Sequence, residues 1–161
     1  MAQVWRVIPD FPDYSASNIG YIRNDSTERI MRQYPNTRGT AMVGLVKNGV
    51  QNKRAISPIV AGLFLPKPRV GHETPINLDG DRFNNRVENL AWRPLWFARR
   101  YHVQFEHEIC IASPIQDMDT KRKYENTRAA AVAHGLLERE IRIGIMNCIP
   151  VWPTYQSFRV I

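Results

Sequence analysis

The chain reads as an α+β protein built from small modules, and three observations predict this. Short apolar runs alternate with Asn, Gly and Pro, the pattern of brief strands joined by tight turns. A long polar loop rich in Asn, from Asp79 to Asn89, interrupts them. Two short helical stretches then meet at Gly135, which suits a helix-turn-helix preceded by a short hairpin. At 161 residues and 43% hydrophobic content, the chain fits one domain or two or three modules in series.

From the start, Val4 to Ile8 reads as a strand, followed by a Pro-rich turn and a second strand from Gly20 to Arg23, with Asn18 and Gly20 in the tight turn before it. Ala41 to Val46 and Val50 to Ile56 form a hairpin about Lys47-Asn48-Gly49, since Asn-Gly is a strong short-range turn signal. Ser57-Pro58 predicts a helix start, a cap residue with Pro at the first position. Ile59, Val60, Leu63 and Phe64 continue it at helical spacing, and Pro66 and Pro68 end it. The region from Ile76 to about Arg100 should supply a strand, the Asn-rich loop and a helix. Trp92, Leu95, Trp96 and Phe97 read as a packing cluster, because large aromatics mostly bury area.

Toward the C-terminus, Ile115 to Met118 and Lys123 to Tyr124 make a hairpin around Asp119-Thr120. Asn126 or Thr127 caps a helix carrying Ala129, Ala130, Val132 and Ala133. Gly135 breaks it, a second helix runs from about Leu137 to Asn147, and Tyr155 to Val160 closes the chain as a strand.

Lys and Arg number 22 against 15 Asp and Glu, a net charge of +7 that suits a polyanion partner, an acidic protein surface or an anionic membrane. No apolar run approaches the roughly 18 residues that span a bilayer, and no signal peptide is recognisable, so a cytoplasmic protein with no membrane partner is expected. Cys110 and Cys148 stand far apart with no Cys-x-x-Cys pair, which predicts two reduced, largely buried thiols.

The run Asp79-Gly80-Asp81, then Asn84-Asn85-Arg86-Val87-Glu88-Asn89-Leu90, then Trp92 resembles the active-site core of phage-type HNH homing endonucleases. Trp5 to Pro9 and Tyr14 to Arg23 resemble the small nuclease-associated module at their N-termini, and Ser113 to Arg159 resembles their C-terminal helix-turn-helix module. The resemblance implies a nuclease-associated module at 1–38, an HNH-like ββα-metal core at 39–104 and a helix-turn-helix DNA-binding module at 110–161. It also implies a phage protein acting in its host cell.

In that family a metal-binding Asp or Asn and the general-base His precede the Asp-Gly pair, where this chain has Ile76 and Asn77. The second metal ligand, an Asn, falls at Ala98, after Phe97. Ile76 has no donor atom, and an amide takes up no proton near neutral pH, so Asn77 cannot replace an imidazole. What the resemblance leaves is a loop structured by Asp79, Gly80, Asn84, Asn85 and Asn89. His72 and Glu73 lie too far upstream to restore the site.

Arg54, Arg82, Arg86, Arg93, Arg99 and Arg100 around this core, with Arg128, Arg139 and Arg142 near the C-terminus, are the candidate phosphate contacts. The expectation is a binder of double-stranded DNA without nuclease activity and without a cofactor. Two other readings stand beside it: a DNA-nicking HNH enzyme using Mg²⁺, and an interaction protein in a protein or ribonucleoprotein assembly, whose partner is RNA or an acidic protein.

Overall fold

In the computed structural model, which describes residues 2–161, β1 (Trp5–Ile8), β2 (Phe11–Ser17) and β3 (Ile22–Asn24) form an antiparallel sheet with β2 in the centre. The sequence suggests a Pro-rich turn where β2 runs. The register explains the difference: Val7 faces Ser15 but Ile8 faces Phe11, so Pro12 sits in a bulge and its missing N–H interrupts no ladder bond. Alternation along β2 buries Tyr14 and Ala16, while Ser15 and Ser17, also buried, bond to Asp25 and to the Tyr21 N–H.

The second sheet holds β4 (Tyr34–Pro35), β5 (Ala41–Lys47) and β6 (Val50–Ala55). Lys47 pairs with Val50 across Asn48-Gly49, whose φ values of 53° and 75° match the twist that a two-residue hairpin needs. Helix α1 (Ile56–Phe64) starts one residue before the expected cap, behind Ala55, and Ser57 is buried inside its first turn. Pro58 is tolerated there because first-turn N–H groups have no intrahelical acceptor. Then β7 (Thr74–Asn77) and β8 (Leu90–Arg93) pair antiparallel, with the Asn-rich loop between them.

Two compact units result, one running to Leu95 and the other from Trp96 to Ile161. A continuous apolar core in the first joins Phe11, Tyr14, Ala16 and Ile22 of the opening sheet to Val43, Leu45, Ile56, Val60 and Leu90. The opening sheet and the segment from Ala41 to Leu90 therefore share one interior.

The second unit holds most of α2 (Leu95–Val103), then β9 (Ile115–Asp117), β10 (Lys123–Tyr124), α3 (Thr127–His134), α4 (Glu138–Asn147) and β11 (Phe158–Val160), with β9 central in the sheet. Asn126 caps α3 by accepting the Ala129 N–H at 2.8 Å, and Gly135 ends it in the left-handed conformation (φ 62°, ψ 48°). Buried Glu138 joins three segments: its Oε1 accepts from the Cys110 N–H and the Thr127 hydroxyl, both at 2.6 Å, and Oε2 pairs with Arg128. Gln104 fixes α2 to this frame, accepting the Glu138 N–H at 2.8 Å and donating to the Leu136 carbonyl at 3.3 Å.

The expectation of buried thiols is corrected: Cys110 and Cys148 are both exposed. Cys110 lies in the irregular stretch before β9, and Cys148 occupies the left-handed residue that ends α4, so neither belongs to an element face turned to the core. Among the described residues no helix is long and apolar enough to cross a membrane.

Candidate nucleic-acid interface

The loop between β7 and β8 is held by its own side chains. Asp79 Oδ1 accepts from the Asn89 amide at 2.8 Å and the Asp81 N–H at 3.0 Å, and its Oδ2 accepts from the Asn84 amide at 2.6 Å. Asn89 returns the contact, its Oδ1 accepting the Asp79 N–H and its Nδ2 donating to the Asn84 carbonyl. Gly80, at φ 82°, turns the chain after Asp79. Asn85 is buried and donates to the Arg82 carbonyl at 3.2 Å. A short 3-10 turn, Val87–Asn89, leads back into β8, and the Val87 N–H donates to the Asn18 carbonyl at 2.8 Å, docking the loop on the opening sheet.

Ile76 and Asn77 end β7, both buried. The Asn77 amide donates to the Asn84 carbonyl at 2.9 Å and to Asn85 Oδ1 at 3.0 Å. Asn77 thus faces into the loop and braces it, and a side chain in its place has those two acceptors as neighbours. Upstream, Glu73 accepts the Gly71 N–H and His72 Nδ1 lies 3.4 Å from the Val70 carbonyl, so that pair is occupied within its own turn. Ala98 and Phe97 belong to α2 of the second unit, both buried.

A solved structure of the HNH homing endonuclease I-HmuI, from work on its DNA binding and cleavage, matches 98% of this chain and 98% of that one with a TM-score of 0.56 at 17% identity. Two uncharacterized HNH endonucleases of Acanthamoeba polyphaga mimivirus also match: L247 is 28% identical over 88 residues, and L245 is 29% identical over 96. The chain is HNH endonuclease-like. It aligns over 55% and 57% of its own length but spans only 22% and 27% of these two relatives, which belong to a giant virus. No family model matches.

On this HNH-like scaffold the nine candidate arginines divide by what they touch. Arg82 donates to the Arg38 carbonyl at 2.7 Å, and Arg93 donates to the Trp92 carbonyl at 2.8 Å. Arg54 donates to the Lys53 carbonyl and lies 5.4 Å from the Phe11 ring centre. Arg86 pairs with Glu88 at 2.8 Å, and that hydrogen bond holds the Glu88 carboxyl below its ordinary range. Arg128 is tied to Glu138, the His107 carbonyl and the Phe105 ring. Arg99, Arg139 and Arg142 are exposed and have no hydrogen-bond or ion-pair partner among the described residues, while Arg100 lies over Trp96. Sequence alone ranks these nine alike, because composition carries no sign of which guanidinium finds an internal acceptor.

Two groupings escape sequence reasoning. Trp96 is exposed rather than packed, stacked on Trp152 with ring centres 5.5 Å apart, whereas its neighbour Phe97 is buried. Asp117, Tyr124 and His134 meet beside β9: His134 Nε2 lies 2.8 Å from the Tyr124 hydroxyl and 3.4 Å from Asp117. Burial pushes His134 down, and Arg122 adds to that against the pull of Asp117. Burial raises Asp117, but the N–H groups of Asp119 and Thr120, the Thr120 hydroxyl and His134 outweigh it and hold the carboxyl below its usual range. Burial raises the Tyr124 hydroxyl.

Proposed function

We propose that this chain binds duplex DNA on a scaffold of HNH endonuclease descent and does not cut it by the usual HNH chemistry. The observation that carries this reading is Asn77. At the place where the resemblance puts the general base stands an amide with no proton affinity near neutral pH, its N–H groups given to Asn84 and Asn85. The divalent cation that the family uses finds no fitting donor set. Ile76 offers no donor atom, and both Asp79 oxygens already accept hydrogen bonds from the loop.

Binding draws on other residues. The +7 charge favours a polyanion, and the exposed Arg139 and Arg142 stand in the first turns of α4, where a helix following α3 across a three-residue turn presents its side chains to a major groove. In this reading 110–161 is the helix-turn-helix module, 1–38 and 39–104 are the remnants of the nuclease-associated module and the HNH core, and Asp79, Gly80, Asn84, Asn85 and Asn89 keep the loop's shape.

The test uses purified protein, supercoiled plasmid and either Mg²⁺ or Mn²⁺, alongside a labelled duplex. The expected result is duplex binding with no nicking above background. Nicking that scales with protein and stops with EDTA overturns the reading and establishes the enzyme alternative.

A further inference from the structure

The second unit is not only basic but grooved. A cavity of about 720 Å³ lies between α2 and α4, lined by the apolar Val103, Leu137 and Ile143 and by Arg99, Arg100 and Arg139. A neighbouring space of about 370 Å³ reaches Arg142 and shares Gln104, His107 and Arg139 with it. Another of about 250 Å³, bounded by Trp96 and Trp152, shares Arg100, Leu137 and Glu140 with the first. Glu140 and Glu108 also line these spaces and form no ion pair among the described residues, while Glu138 is paired with Arg128. Arg99, Arg100, Arg139 and Arg142 outnumber them.

A duplex backbone asks only for positive charge, and its bases are already stacked on one another. This groove also offers an apolar lining and, in the adjoining space, an indole with 51% of its surface exposed. The Trp96 ring is backed by Trp152 at an interplanar angle of 23° and has the Arg100 guanidinium 5.6 Å from its centre. A half-exposed indole with a cation over it, near other exposed arginines, matches what unpaired bases and their phosphates require once the guanidinium moves from the ring to a phosphate. We infer that this groove is a binding site for single-stranded nucleic acid, with Trp96 as the stacking platform and Arg99, Arg139 and Arg142 along the phosphates. The inference deepens the nucleic-acid reading above and rests on its polyanion component. An acidic amphipathic peptide suits the charge and the apolar lining but has no use for the stacked indole.

The test measures binding of the whole protein to a labelled oligothymidylate and an oligouridylate, each of about 12 nucleotides, by fluorescence anisotropy. A labelled duplex is measured in parallel. Trp96→Leu should weaken single-strand binding about tenfold or more, from the loss of one stacked base, while duplex affinity changes less than about twofold. Trp96→Phe, which keeps a ring, should recover most of the loss, separating stacking from a fold defect. Arg99→Ala with Arg139→Ala should flatten the salt dependence of single-strand binding by about 1.4 log units per tenfold salt, at about 0.7 for each phosphate. A Trp96 requirement with either oligonucleotide supports the site, and the stronger of the two identifies DNA or RNA as its ligand. Single-strand binding indifferent to Trp96→Leu, or duplex binding with no single-strand binding, overturns the groove while leaving the duplex reading intact. Failure to bind any of the three probes, with capture of an acidic peptide instead, overturns both.

Discussion

Gly20 connects the opening sheet to the Asn-rich loop, and replacing it with Ala measures that connection. At φ +90° the residue lies where L side chains are strained, and an added Cβ would stand 2.9 Å from the Asn85 carbonyl carbon, 3.0 Å from its oxygen and 3.1 Å from its Cβ. These neighbours are backbone and the root of a buried side chain, so they cannot swing aside as the end of a flexible chain does. Gly39 is the control, because its φ of +74° carries similar strain while nothing lies within 4 Å of its added Cβ. Backbone strain alone makes Gly39→Ala cost about 1–2 kcal/mol. Overpacking adds about 1–3 kcal/mol at Gly20, for a total of about 2–5 kcal/mol. Urea unfolding of the two variants gives the difference, and amide exchange locates it. Protection in the Asp79 to Asn89 loop should fall in Gly20→Ala and be unchanged in Gly39→Ala. Equal losses in both variants, with loop protection unchanged, would refute the view that this loop is shaped by docking on the Ser17 to Tyr21 turn.

Arg139→Ala with Arg142→Ala should lower the salt slope of duplex binding by about 1.8, so that the affinity lost between about 50 and 200 mM salt shrinks roughly tenfold. Arg82→Ala with Arg86→Ala should leave the slope nearly unchanged, because those guanidiniums are engaged by the Arg38 carbonyl and Glu88. Fluorescence titrations at several salt concentrations read both, and a slope altered equally by the two pairs contradicts this division. The second test is pH. His134 in the fold takes up a proton less readily than its ordinary value of 6.5, so the unfolded chain binds more protons between the lowered value and 6.5. Stability is therefore complete above that window and falls as pH drops through it, with Asp117 still ionised because its carboxyl is held below 3.8. Denaturation midpoints should fall from about pH 7.5 to about pH 5, and His134→Gln should reduce that fall. An undiminished fall in the variant assigns the effect elsewhere.

Local chemistry was legible in the sequence wherever a short segment decides its own conformation. Asn48-Gly49 defined its hairpin, Asn126 its cap and Gly135 its break, because each sets backbone geometry through neighbours a few residues away. The order of Asp79, Gly80, Asn84, Asn85 and Asn89 likewise pointed to the HNH-like loop, and the amide at Asn77 is a statement about chemistry that needs no coordinates. Contacts between distant segments decided the rest. Pro12 became part of a central strand because a register slip with β1 left it no ladder bond to lose, and the opening sheet joined the core of Val43, Leu45 and Val60. The tertiary structure also separated arginines alike in sequence: Arg82 meets a carbonyl 44 residues away and Arg128 a carboxylate across the α3 to α4 turn, while Arg139 and Arg142 meet none among the described residues. It turned Phe97 inward and Trp96 outward on one helix. The availability of a charge or a ring depends on which acceptors and surfaces the fold brings within a few ångströms, and those partners lie too far along the chain for local pattern to reveal.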